Sequence, residues 1–154
     1  MADLRTLCGR IGLAEVSTYI ASGNIICSAP PDLDASLREL EATIADEFGV
    51  ETPAIGRTHD DLVAAVEHNP YTDFEPKLMH IVYLADEPSA EGVDALHGRD
   101  FGDVCRVVGR EVYVRYATGV QGTKLTPVLM QKLLGVPGTA RNWRTAQKLI
   151  ELTS

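Results

Sequence analysis

The run Lys77-Leu78-Met79-His80-Ile81-Val82-Tyr83-Leu84 constrains the fold more than any other stretch of the chain. Alternate residues of a strand point to opposite faces. Here both faces are apolar, with Met79, Ile81 and Tyr83 on one and Leu78, Val82 and Leu84 on the other. A strand that is apolar on both sides must be covered on both sides, so this one is expected at the centre of a sheet. His80 stands within it. It is read as a core histidine bonded to backbone rather than a catalytic one, because no paired Asp, Ser or Cys is close in sequence.

The elements around this strand follow from periodicity and punctuation. Downstream, Glu87-Pro88-Ser89 leads into a helix through Val93 and Leu96. Cys105 to Val108 and Glu111 to Tyr116 read as a hairpin turned at Gly109-Arg110. Thr126 caps a helix that has Pro127 at its first position and runs to about Leu134. Upstream, Met1 to Ile11 reads as a helix and Val16 to Ala21 as a strand. Ser22-Gly23-Asn24 is the turn into a return strand at Ile25-Ile26-Cys27. Pro30-Pro31 breaks that strand before a long helix from Asp34 to Phe48, stopped by Gly49. Glu51 to Arg57 is expected to be a short strand. Thr58 then caps a further helix, with Asp61 three residues on, closed at Asn69-Pro70.

Two halves share an order. Residues 1–57 read helix, hairpin, helix, strand; residues 77–134 read strand, helix, hairpin, helix. Each is most of a βαββαβ unit. The expected fold is therefore α+β with two ferredoxin-like subdomains. The first, residues 1–57, lacks its opening strand; residues 58–154 hold a connecting helix, the second subdomain and a C-terminal helix.

The charge is uneven. The net charge of −8 divides between residues 1–105, with 6 Lys/Arg and 20 Asp/Glu, and residues 106–154, with 8 and 2. Such asymmetry can mark an anion-binding surface, or a basic segment paired with the acidic one within the fold or across an oligomer. Overall acidity opposes general binding of nucleic acid. At 154 residues, 45% apolar and 23% charged, the chain is expected to be globular, with no signal peptide and no membrane span. Cys8, Cys27 and Cys105 are odd in number and lack a C-x-x-C spacing, which favours buried thiols in a reducing cytoplasm over disulfides or zinc.

The candidate site is the run Gly138 to Leu149, which holds the only Trp of the chain between two arginines. Asn142 is placed to cap the last helix, with Trp143, Ala146, Leu149 and Ile150 on its inner face and Arg144 and Lys148 sharing another. One reading makes Arg141, Asn142, Trp143, Arg144, Lys148 and Lys124 an anion or nucleotide site, with Trp143 stacking and the basic groups on phosphate. The other makes Trp143 a core plug and Arg141 the partner of a carboxylate. The loops Gly119–Lys124 and Gly135–Thr139 put Gly and Thr before a helix, as a phosphate site or as plain caps. Neither matches G-x-x-x-x-G-K-[ST]. His59, His68, His80 and His97 show no metal-ligand spacing. No metal or cofactor is expected.

Several runs resemble one bacterial family: Thr18-Tyr19-Ile20-Ala21-Ser22-Gly23-Asn24, Gly109-Arg110-Glu111-Val112-Tyr113, Lys124-Leu125, Leu134-Gly135-Val136 and Thr139-Ala140-Arg141-Asn142-Trp143. Together they are similar to domain of unknown function 1697. The resemblance implies an α+β fold of two ferredoxin-like subdomains. Family members open with a further strand and a Gly-rich, basic loop ahead of the first helix, and this chain opens at that helix. A missing central strand leaves unpaired backbone and apolar surface, which favours strand exchange between chains or a weakened first subdomain.

Three functions are expected from different classes. The first is a cytoplasmic, non-enzymatic binding or interaction module with a basic C-terminal surface for an anionic small molecule or nucleotide. The second is a small-molecule enzyme with a site between the subdomains, using Arg141, Lys124 and His80. The third is assembly into a homo-oligomer through the basic segment and an acidic face of another copy.

Overall fold

A computed structural model of the chain describes residues 2–19, 23–119 and 122–154. The chain divides into two compact units, one spanning Met1–Thr58 and the other His59–Leu152. Both mix helices with antiparallel sheet, so the class is α+β.

In the first unit, α1 (Ala2–Arg10) precedes a hairpin of β1 (Ser17–Tyr19) and β2 (Asn24–Ile26), paired with Thr18 opposite Ile25. Ile20, Ala21 and Ser22, expected to end the first strand and start the turn, lie outside the described residues. The long helix α2 (Leu33–Phe48) begins where Asp32 accepts a hydrogen bond from the Ala35 N–H. It ends at Gly49, whose φ of 66° closes the last turn with little strain for a residue lacking Cβ. Leu7, Cys8 and Leu40 are buried together; Leu4, Ile11, Val16, Ile25 and Ile44 pack around them only half-buried. The strand expected over 51–57 does not form. Among the described residues no strand pairs with it, and the Ala54 N–H instead donates to the Glu41 carboxylate on α2 at 3.1 Å. Strand propensity without a ladder partner does not make a strand.

In the second unit, α3 (His59–Glu67) and a single 3-10 turn at Pro76–Leu78 lead into β3 (Met79–Leu84), and α4 (Ala90–His97) follows. Next come β4 (Val104–Val108), β5 (Glu111–Arg115), α5 (Pro127–Leu134), β6 (Gly138–Asn142) and α6 (Trp143–Thr153). The sheet order is β4-β5-β3-β6, antiparallel throughout. β3 is thus internal, as its two apolar faces require. One face carries Val82, Leu84, Val112 and Val114 against Leu96 of α4 and Met130 and Leu134 of α5. On the other face Tyr113 reaches α3, where its hydroxyl donates to the Ala65 carbonyl at 2.6 Å.

β6 was not expected as a strand. Gly-Thr-Ala-Arg-Asn has no β-branched run and little apolar alternation. It becomes a strand because the free edge of β3 offers a ladder, with Ile81 opposite Arg141 and Tyr83 opposite Thr139. β6 sits close to its neighbour: a Cβ on Gly138 would come within 2.8 Å of Val82 Cγ1 and 2.9 Å of Leu84 Cδ2.

The α4–α5 contact is equally tight and gives a stability prediction. Alanine inside a helix ordinarily gains about 1 kcal/mol over glycine. A Cβ at Gly92, however, would lie 3.0 Å from the Leu133 carbonyl oxygen and 3.2 Å from Leu134 Cα, both backbone atoms of α5. Gly92→Ala is expected to cost about 1–2 kcal/mol through this overpacking. The readout is a lower urea midpoint; an unchanged or higher one would show that α5 gives way freely.

Candidate functional site

The residues predicted for the site fall into two groups. Asn142 and Trp143 each make a contact that shapes the fold. The Asn142 side chain caps α6 by accepting from the Thr145 N–H at 2.8 Å, and Trp143 packs edge-on against Phe74 with ring centroids 5.0 Å apart. Arg141 lies on β6, half-buried, and its Nη1 donates to Thr139 Oγ1 at 2.5 Å and to the Ala140 carbonyl at 2.8 Å. Burial lowers its pKa, and the nearby Tyr83 acts the other way. The guanidinium folds along its own strand. Arg144 is exposed, Lys148 pairs with Glu151 at 3.2 Å three residues on, and Lys124 stands exposed in the loop before α5. Val120 and Gln121 of that loop lie outside the described residues.

His80 is half-buried on β3, its ring edge-on to Tyr116 at 5.0 Å. Burial pulls its pKa down, with a backbone bond at Leu78 opposing, so the imidazole is held neutral. Across the sheet it shares a row with Val114, Cys105 and Asn142. None of these can serve it as a catalytic carboxylate. Burial raises the thiol pKa of Cys8, Cys27 and Cys105, which removes the thiolate character a nucleophile needs. Among the described residues no group of three or more His, Cys, Asp or Glu is placed to hold a metal.

Two of the cavities among the described residues open on the second unit. One, of about 30 Å³, sits between β3, β6 and α5 against Val82, Leu84, Tyr116, Leu125 and Met130; it has room for about one water. The other is a cleft of about 420 Å³ at the β4 end of the sheet. This is within the range that small ligands occupy. Pro70 and Tyr71 form one wall, Leu96, His97 and Arg99 the other, and residues 103–106 of the β4 strand and its approach lie between them.

The electrostatics of this cleft are positive. Arg99 and Arg106 are both exposed there. Arg115 sits behind them, its guanidinium 5.3 Å from the Tyr71 ring centre and its Nη1 on the Asp73 carbonyl at 3.0 Å. Tyr71 has its pKa raised by burial, then by Cys105, with Arg115 and Arg106 opposing. The one carboxylate in the lining, Asp103, is engaged elsewhere: Oδ1 accepts from the Ala117 N–H at 2.8 Å, and Oδ2 from the Thr123 hydroxyl. In a chain of net charge −8 this is a local excess of positive charge next to an aromatic ring.

Neither cavity is lined by Arg141, Asn142, Trp143, Arg144, Lys148 or Lys124. The cleft draws instead on Tyr71, His97, Arg99 and Arg106, three of them outside the basic C-terminal segment. The sequence signal for one of them was present, since Arg106 opens that segment. Nothing in spacing ties it to Tyr71 or Arg99; the sheet edge does.

No curated protein matches the chain. Among solved structures, the fold is similar to that of the conserved bacterial protein SP0830 from Streptococcus pneumoniae. That likeness has a TM-score of 0.72 at 21% identity and covers 100% of this chain and 88% of the other. At that identity the likeness concerns the fold. The family match covers residues 1–113, so the Thr139–Trp143 run lies beyond it, while the cleft residues Tyr71, His97, Arg99 and Arg106 lie within it. The chain belongs to the family described as protein of unknown function DUF1697.

Proposed function

We propose that this protein is a non-enzymatic binding module, acting in the cytoplasm, that takes an anionic ligand in the cleft beside β4 rather than at the start of α6. The observation that carries this reading is the cleft itself. It is about 420 Å³, bordered by Arg99, Arg106, His97 and Tyr71, with the Asp103 carboxylate turned to the Ala117 N–H and the Thr123 hydroxyl. Charge-assisted contacts from arginine are among the stronger polar contacts available to an anion, and an aromatic wall adds a stacking face. The cleft holds no activated nucleophile and no paired acid and base, which is what supports binding over catalysis. The second unit is read as ferredoxin-like, supported by its βαββαβ order and the β4-β5-β3-β6 arrangement, which is the strand order of that fold.

The test is a titration of the full chain with inorganic pyrophosphate at low salt, followed by backbone amide NMR shifts. Shifts are expected to cluster at Tyr71, His97, Arg99 and Arg106. Arg106→Glu is expected to weaken binding at least about tenfold, as the loss of one charge-assisted contact and its reversal imply. Affinity should also fall steeply with added salt. Shifts confined to Arg141, Arg144 and Lys148 would move the site back to α6, and no binding at low salt would overturn the reading.

A further inference from the structure

The cleft lies along an unpaired sheet edge, and the direction of the backbone there can be worked out. β4 is the outermost strand on its side of the four-stranded sheet. In an antiparallel ladder, residues alternate between directing both backbone groups at the partner strand and directing both away from it. Val107 fixes the phase, because its N–H leaves the sheet to meet His97 Nε2 at 3.1 Å. Cys105 has the same parity, so its N–H and C=O also point out of the sheet, into the cleft it lines. His97 plugs one rung of the edge. Among the described residues no side chain plugs the rung at Cys105.

The two walls lie on opposite sides of this rung. Leu96, on one wall, packs with Val112 and Val114 on the sheet face that carries α4. Tyr71, on the other, meets Arg115, which shares the opposite face with Val104. On that second face Val104, Arg106 and Val108 stand exposed in a row along β4, the valines at 44% and 37%. An open edge with exposed valines invites pairing with another chain, and natural sheets usually block it. Here the blocking is incomplete, at the point where the arginines gather.

We propose that this edge takes an extended, acidic segment of a separate protein as an added antiparallel strand. The proposal rests on the reading of the cleft as an anion site and names the anion as a peptide. Backbone pairing at Cys105 supplies the alignment, and Arg106 selects for carboxylates on the side chains of the incoming strand that share its face with the exposed Val104 and Val108. Its alternate side chains turn to the face that carries α4. This is strand addition, in which main-chain bonds give affinity and side-chain pockets give specificity. Charge complementarity decides the occupant: Arg99 and Arg106 stand exposed at the cleft, while the one carboxylate of its lining, Asp103, is turned to Thr123 and Ala117.

The probe is the blocked heptapeptide acetyl-Asp-Val-Asp-Val-Asp-Val-Asp-amide, titrated into the full chain at low salt. Two relatives are N-methylated, one at its valines and one at its inner aspartates. An added strand turns every second N–H toward β4, so one methylated peptide is expected to lose at least about tenfold in affinity while the other binds within about twofold of the parent. Arg106→Glu is expected to weaken both the peptide and pyrophosphate. If both methylated peptides bind like the parent, or if pyrophosphate binds and no peptide does, strand addition is overturned and the anion site stands. If neither pyrophosphate nor peptide binds, both readings fall. A dimer in sedimentation that the peptide dissolves would place an acidic stretch of a second copy in the cleft and overturn the assignment to a separate partner.

Discussion

Replacing Tyr113 by alanine is expected to destabilise the second unit by about 3–5 kcal/mol, the range for removing a large buried aromatic side chain. Tyr113 is 1% exposed, sits in the middle of β5 opposite Ile81 of β3, and is among the largest fully buried side chains of the described residues. Its hydroxyl has a second task. The last four carbonyls of any helix lack partners within the helix. Near the end of α3 the Asn69 N–H turns to Val66, and the Ala65 carbonyl is taken by the Tyr113 hydroxyl at 2.6 Å. Burial raises the Tyr113 pKa, with Glu111 and Tyr83 adding to it, which keeps the hydroxyl protonated and able to donate. Tyr113→Phe should therefore cost about 1–3 kcal/mol on its own, the range for leaving one buried polar group unsatisfied. Urea denaturation followed by circular dichroism measures both. A neutral Tyr113→Phe would show that the hydroxyl bond contributes nothing, and the larger loss in Tyr113→Ala would then be packing alone.

What the sequence made legible was whatever local chemistry decides. β3 could be placed centrally because its residues are apolar on both faces, and α5 because Thr126 and Pro127 start it and Gly135, with φ of 77°, stops it. Asn142 was read correctly as the cap of α6. The errors are where pairing decides. Residues 51–57 have the composition of a strand but, among the described residues, no strand beside them, and the Ala54 N–H goes to Glu41. Residues 138–142 lack that composition, yet β3 has a free edge and recruits them. The cleft was not legible for a related reason. Arg141 and Trp143 are close in sequence, whereas Tyr71, Arg99 and Arg106 come from three separate stretches. They become neighbours only when β4 is folded against β5 and flanked by α4.

The first unit is expected to open well before the second. Among the described residues its cluster buries only Leu7, Cys8 and Leu40, with Leu4, Ile11, Leu13, Val16, Ile25, Ile44 and Ala54 left partly exposed. The second unit has ten buried residues in the cluster beneath α4 and α5 alone. Burial of apolar area is the main favourable term in folding, so a cluster whose members mostly keep contact with water returns less of it per residue ordered. The sheet adds little, since a hairpin of two three-residue strands is marginal unless its faces are covered. Local opening free energies in one protein run from near zero up to the global value. The prediction is that amides of α1, β1, β2 and α2 exchange at least about a hundredfold faster than those of β3 and β5, a gap of about 2.7 kcal/mol. Hydrogen exchange read by mass spectrometry resolves the two sets of peptides. Equal protection in both would mean that the half-buried residues of the first unit are covered by something further, and would sink the claim that this unit is held together by three buried side chains.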